Sequence, residues 1–414
     1  MRVTGLGVRA LESYAGVAPD DQLSEVRTLS ETLRGVSIVH VNSTAFGGGV
    51  AEILYNLVPL MNGVGLKAGW EVIEAPNEFF EVTKRIHNGV QGMKVELTGD
   101  MKDLYLRVNR ANAERLALDG DVVVVHDPQP LAIRAFRDGG MSWVWRCHID
   151  VSSPDPGVWG FLERYVRMYD AYVFHMVDYV QPGLDKSRVF VMPPSIDPLS
   201  EKNREMRYEE VLGVLEKYDV DPERPILIQV ARFDPWKDPL GVIDVYRLVK
   251  ERVPDAQLLM VASMAHDDPE GWVYYERTVR KAGEDYDIHF LTNLVGVGAR
   301  EVNAFQRAAT VVLQMSTREG FGLSVTEALW KAKPVVARGS GGIRLQVIHG
   351  ETGFLVRDVR EAADYSVRLI RDPELRRRLG ERAREHVRAN FLITRHLRDY
   401  LRLISKLVKS RKGS

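Results

Sequence analysis

The feature that most constrains this chain is an alternation, run through twice, of short β-branched segments with stretches of helical spacing. Val36-Ser37-Ile38-Val39-His40-Val41 reads as a strand that stops at Asn42-Ser43-Thr44 and passes into Gly47-Gly48-Gly49. Val50, Ile53, Leu54, Leu57 and Met61 follow at the spacing of one apolar helical face. Residues 70–74, 121–126, 142–147 and 171–174 repeat the strand pattern, with helical stretches between them. Strands joined in this way by helices run parallel, so a sheet covered by helices is implied.

A second series of strands is read at 225–231, 256–262, 287–291, 310–313 and 334–337. Between the two series lies Met192-Pro193-Pro194-Ser195-Ile196-Asp197-Pro198, a rigid segment followed by a charged helical stretch over 201–218, and the domain boundary is placed there. A chain of 414 residues also exceeds what one hydrophobic core usually supports. The expected fold class is therefore α/β, with two doubly wound Rossmann-like domains over 1–195 and 196–389 and a cleft between them. The last stretch, 390–414, reads as a basic helix packing back on the first domain.

Charge narrows the function classes. With 56 basic and 57 acidic side chains the net charge is -1, and nothing favours nucleic acid. The lone Cys147 excludes an intrachain disulfide, and no apolar run is long enough for a membrane span. The start, Met1-Arg2-Val3-Thr4-Gly5, lacks a signal-peptide core, so a soluble cytoplasmic protein is expected. The sequence does not fix the oligomeric state, and a homodimer is one assembly it allows.

The chemistry centres on Thr317-Arg318-Glu319-Gly320-Phe321-Gly322-Leu323-Ser324-Val325-Thr326-Glu327-Ala328-Leu329. A polar loop with two glycines leads into a helix that opens near Leu323, and the unpaired N–H groups of a helix start attract phosphate. Glu319 precedes that helix and Glu327 lies about one turn inside it, so the two carboxylates suit different parts of one ligand. Arg232 and Lys237 follow the first strand of the second series, where an Arg fork and a Lys point charge suit a diphosphate. Their bland alternative is surface pairing with Asp234 and Asp238. Gly47, Gly48 and Gly49 allow backbone to approach a phosphate or sugar, or simply make a flexible turn. His126 with Asp127, and His148 with Asp150, close neighbouring strands, where polar groups orient acceptor hydroxyls. Asn293 and Leu294 follow another strand end. Asp119-Gly120-Asp121 has the form of a metal-holding Asp-x-Asp string, but it precedes its strand and reads as a tight turn. No zinc spacing occurs, and no metal is expected.

Arg232 with Lys237, Glu319 and Glu327 with seven residues between them, and the segment from Met192 to Asp197 together resemble retaining glycosyltransferases of the two-Rossmann-domain GT-B type. Within that class, Phe46-Gly47-Gly48-Gly49-Val50-Ala51-Glu52, His126-Asp127-Pro128-Gln129-Pro130 and Trp145-Arg146-Cys147-His148-Ile149-Asp150 resemble the trehalose glycosyltransferring synthases and the related trehalose phosphorylases. The resemblance implies that Arg232 and Lys237 hold the donor diphosphate, together with Gly48, Gly49 and the backbone from Gly320 through Phe321 and Gly322 to Leu323. It implies Glu319 on the donor sugar, Glu327 on the ribose, and the backbone of Asn293 and Leu294 on the base. His148 becomes a catalytic candidate, and His126, Asp127, Gln129 and Asp150 become acceptor-binding candidates. The implied substrates are a nucleoside diphosphate glucose and glucose, with trehalose as product and no cofactor for the transfer step. Trehalose phosphorolysis, transfer to another sugar, and a nucleotide-sugar sensor without turnover are the alternatives.

Overall fold

Four consecutive valines, Val122 to Val125, are completely buried on both faces of their strand, as a parallel sheet sandwiched between helices requires. The computed structural model describes residues 1–264 and 269–412. It divides into one unit of Met1–Ser195 with Leu392–Ser414, and a second of Ile196–Phe391.

In the first unit the strands are β1 (Ser37–Asn42), β2 (Lys67–Val72), β3 (Val122–His126), β4 (Ser142–Arg146), β5 (Ala171–Phe174) and β6 (Val189–Val191). They pair in the order β2-β1-β3-β4-β5-β6, every pair parallel. In the second unit β7 (Ile226–Val230), β8 (Gln257–Ala262), β9 (Ile288–Thr292), β10 (Val311–Gln314), β11 (Val335–Arg338) and β12 (Gly353–Val356) pair in the order β12-β11-β10-β7-β8-β9, again all parallel. Each order reverses once, beside β1 and β3 in the first unit and beside β7 and β10 in the second. The loops that leave the carboxyl ends of those strands diverge to opposite faces, which makes the reversal the natural seat of a ligand.

All ten strands read from the sequence are present, and two short edge strands, β6 and β12, are added. The stretch 201–218 is helical only over Tyr208–Lys217. Its first part is held in turns, because Asn303 Nδ2 donates to the carbonyls of Glu201 and Arg204 and Arg307 donates to that of Arg204. The C-terminal helix Ile393–Lys412 belongs to the first unit. Thr394 Oγ1 donates to Gln22 Oε1 at 2.5 Å and Arg402 pairs with Glu25. Residues 413 and 414 of the expected basic stretch lie outside the described residues. Among the described residues no helix is long and apolar enough to cross a membrane.

Candidate active site

In the second unit the loops after β7 and β10 are stitched together by their own backbone. Thr317 N donates to Trp236 O at 2.7 Å, while Gln229 accepts from Met315 N and donates to Lys237 O. Asp234 caps the turn Pro235–Lys237 by accepting from Lys237 N. This frame carries Lys237 Nζ to within 2.5 Å of Glu319 Oε2, and both side chains are largely buried. Ser316 Oγ and Gln314 Nε2 also approach the same oxygen, at 3.3 and 3.4 Å. Charge-assisted bonds of this kind are about twice as strong as neutral ones, and the pair fixes a cation beside a carboxylate.

Of the surface pairings that the sequence allowed for the basic residues, one is present. Arg232 lies 3.5 Å from Asp234 with its side chain 65% exposed. Asp238 does not hold Lys237; it caps the next helix through Gly241 N and pairs with Arg338 at 2.6 Å. The Arg fork therefore faces solvent while the Lys is drawn onto Glu319.

The helix Leu323–Trp330 starts from Gly322 at φ 85°, with no side chain capping its first turn. Only a residue without a Cβ adopts that conformation readily, and the uncapped turn leaves backbone donors for an anion. Gly342 packs beneath the loop, where a Cβ would stand 2.7 Å from Gly320 O. The ring of Phe321 is buried edge-on against Phe391, which leaves its backbone in the loop. Glu327 is 1% exposed and its Oε1 meets Lys202 Nζ at 3.3 Å. Lys202 carries no sequence signal of this role, since it lies in the turn segment that reads as a helix. Asn293 spends its side chain on both backbone groups of Met264, and Leu294 N faces Thr292 Oγ1 at 3.3 Å.

In the first unit Gly47 and Gly48 adopt φ of 72° and 81°, and the helix Gly49–Gly63 follows without a side-chain cap. Thr44 bridges both backbone groups of Phe46 and leaves that ring 77% exposed at the loop tip. Asp127 also has a positive φ, 65°, and its Oδ1 accepts from His148 N at 2.7 Å. Burial pushes the Asp127 carboxyl up to about 7. Asp150 Oδ1 is taken by the N–H and hydroxyl of Ser152, which makes it a turn former. Gln129 Oε1 is buried with no hydrogen-bond partner among the described residues.

The histidines form a row that sequence reasoning only half found. His40 Nδ1 lies 3.0 Å from His126 Nε2, His126 Nδ1 lies 2.9 Å from His148 Nε2, and His148 Nδ1 lies 3.3 Å from His175 Nε2. Both ring nitrogens of His126 are thus spent, so the expectation that it touches an acceptor directly does not hold. Burial, with the neighbouring His40 and Arg146 adding to it, holds His126 well below its ordinary range; burial and Arg146 do the same for His148. The signal for His40 and His175 was one histidine at or near the end of each of four strands adjacent in the sheet. At the other end of β3, Asp119 pairs with Arg137 and Asp121 accepts from Ser37 N and Oγ. Among the described residues no three His, Cys, Asp or Glu side chains are grouped to hold a metal ion.

A sequence family described as Trehalose synthase, N-terminal domain, matches residues 40–181, and one described as Glycosyl transferases group 1 matches residues 215–386. Among solved structures, sucrose-phosphate synthase from Thermosynechococcus elongatus superposes with a TM-score of 0.70 at 16% identity, covering 91% of this chain and 100% of that one. Anabaena Alr3699/HepE in complex with UDP-glucose does so with a TM-score of 0.66 at 16% identity, covering 91% and 100%. With two parallel six-stranded sheets and these neighbours, the chain is a glycosyltransferase of GT-B fold. A trehalose synthase of Pyrococcus horikoshii is 56% identical over 403 residues, 97% of either chain. The chain belongs to the trehalose synthase family.

Proposed function

We propose that this protein is a retaining glucosyltransferase that moves glucose from UDP- or ADP-glucose to the anomeric hydroxyl of free glucose, releasing nucleoside diphosphate and α,α-trehalose. The observation that carries the reading is Lys237 within one hydrogen bond of Glu319 at the β7/β10 reversal. A cation there suits a diphosphate and a carboxylate suits sugar hydroxyls, and a nucleotide sugar joins those two groups. UDP-glucose in the Anabaena neighbour agrees with a ligand of that class.

In the proposed reaction the bond from C1 to the diphosphate oxygen breaks and a bond from C1 to the acceptor oxygen forms on the same face. The acceptor proton passes to the departing phosphate oxygen. Negative charge grows on the leaving diphosphate, so Arg232, Lys237 and the backbone of Gly320 to Leu323 stabilise the transition state more than the bound sugar nucleotide. Glu319 holds donor hydroxyls and Glu327, steadied by Lys202, takes the ribose. His148, whose backbone N–H donates to Asp127, is the catalytic candidate of the first unit. No metal is needed for the step in this proposal.

Product analysis tests it. Incubation with UDP-, ADP- or GDP-glucose plus glucose is expected to give trehalose and nucleoside diphosphate in equal amounts, with or without chelator. Glucose 1-phosphate from trehalose and inorganic phosphate, without nucleotide, would replace this reading with phosphorolysis.

A further inference from the structure

His40, His126, His148 and His175 lie on or just after β1, β3, β4 and β5, four strands adjacent in the sheet. Their contacts share one polarity: each joins Nδ1 of one ring to Nε2 of the next. A neutral imidazole carries one N–H and one acceptor nitrogen, so two consistent protonation patterns exist for the row. In one every ring is protonated on Nε2, and in the other every ring is protonated on Nδ1.

His40 decides between them. It is fully buried, and its Nε2 has no hydrogen-bond partner among the described residues. Protonation on Nε2 would strand an N–H donor in the core, whereas protonation on Nδ1 leaves only an unused lone pair there. Orphaned buried N–H groups are the rarer and costlier of the two. We infer that His40 and His126 are positioning residues that hold His148 as the neutral Nδ1–H tautomer, so that His148 offers a sugar hydroxyl oxygen a hydrogen-bond donor and does not act as a base.

Three further observations agree. His148 is the half-buried member of the row, while His40, His126 and His175 are almost wholly enclosed. Its Nδ1 contact with His175, at 3.3 Å, is the longest of the three and the one a sugar oxygen replaces at least cost. Fully buried Arg146, which donates to Met192, adds positive charge nearby and keeps a second proton off the rings. The inference rests on the proposed role of His148 in transfer, and the experiment below separates the two.

Nitrogen-15 NMR of the histidine rings in the full-length protein at neutral pH should show His148 protonated at Nδ1 and bare at Nε2. A His148 protonated at Nε2 overturns the assignment whatever the activity. His126→Leu removes the donor to His148 and should lower kcat on the order of 10- to 100-fold with little change in KM for the nucleotide sugar. His126→Asn keeps an N–H near the position of Nδ1 and should recover most of that loss. Equal, wild-type activity of both variants with an unchanged His148 spectrum overturns the positioning role. His148→Ala at the wild-type rate, with the Nδ1–H signal seen in the unmutated protein, overturns instead the reading of His148 as an active-site residue.

Discussion

Lowering the pH from about 7 to about 5 is expected to destabilise the first unit. Burial depresses His40 to about 3 and His126, His148 and His396 well below 6.5, and Arg146 adds to the effect on each. In the unfolded chain all four return to the ordinary value. A depressed folded value contributes stability above about pH 6.5 and loses it as the pH falls, because the unfolded chain takes up protons that the folded chain refuses. For His40, at about 3, the linkage costs about 2 kcal/mol between pH 7 and 5, and the other three rings add in the same direction. Asp127 works in the opposite direction: its carboxyl rises from 3.8 to about 7, so its contribution grows as the pH falls through 7. It returns about 2 kcal/mol over the same interval, which offsets His40 and leaves the loss carried by His126, His148 and His396. His289 in the second unit is also depressed by burial and adds in the same direction as the row. The assay is urea unfolding at closely spaced pH values between 5 and 7.5, with unfolding free energy plotted against pH. His396→Gln removes one ring, hydrogen-bonded to Ser195 Oγ at 2.7 Å, that is outside the proposed chemistry. It should reduce the slope below pH 6 by about one proton, or roughly 1.4 kcal/mol per pH unit. A flat profile from pH 7 to 5, or a slope unchanged in His396→Gln, refutes the picture of neutral buried histidines.

Arg232→Ala should slow transfer on the order of 10²-fold, about 3 kcal/mol of transition-state stabilisation, while leaving the melting temperature unchanged because the side chain is mostly exposed; turnover at the wild-type rate would remove Arg232 from the clamp. Lys237→Met leaves the Glu319 carboxylate without its cation and should cost up to about 3 kcal/mol of stability as well as transfer, and a thermal melt of Lys237→Met beside Lys237→Met/Glu319→Gln checks it, since the double variant should recover part of the stability and none of the activity. Glu319→Ala should abolish transfer yet retain UDP binding by titration; loss of nucleotide affinity would place Glu319 on the nucleotide. Gly342→Ala forces a Cβ against Gly320 O, so it should displace the loop before the helix Leu323–Trp330 and raise KM for the nucleotide sugar; unchanged kinetics would show that the loop does not seat the donor.

What the sequence disclosed and what it hid follow from the range of the forces involved. β-branched runs such as Val122 to Val125 announce themselves because strand burial is written in neighbouring residues, and the glycine loop after β1 does so because positive φ selects the residue locally. β6 has only three residues, none of them buried, and so offers no alternation to read. The turn over 201–207 defeats periodicity for a different reason: charged residues at helical spacing are pulled into turns by Asn303 and Arg307, about a hundred positions away. Long-range pairing also hides function. Lys202 gains its meaning from Glu327, and the histidine row from contacts separated by 86, 22 and 27 positions. Yet the parallel topology had made the row readable in principle. With β1, β3, β4 and β5 neighbours in the sheet, histidines in or just beyond the later half of each come within reach of the next, since adjacent strands lie ~4.8 Å apart and an imidazole spans that gap. Strand order, more than motif, is therefore the step that turns four scattered histidines into one hydrogen-bonded device, and it makes His40, deep in β1, as consequential for His148 as any residue beside it.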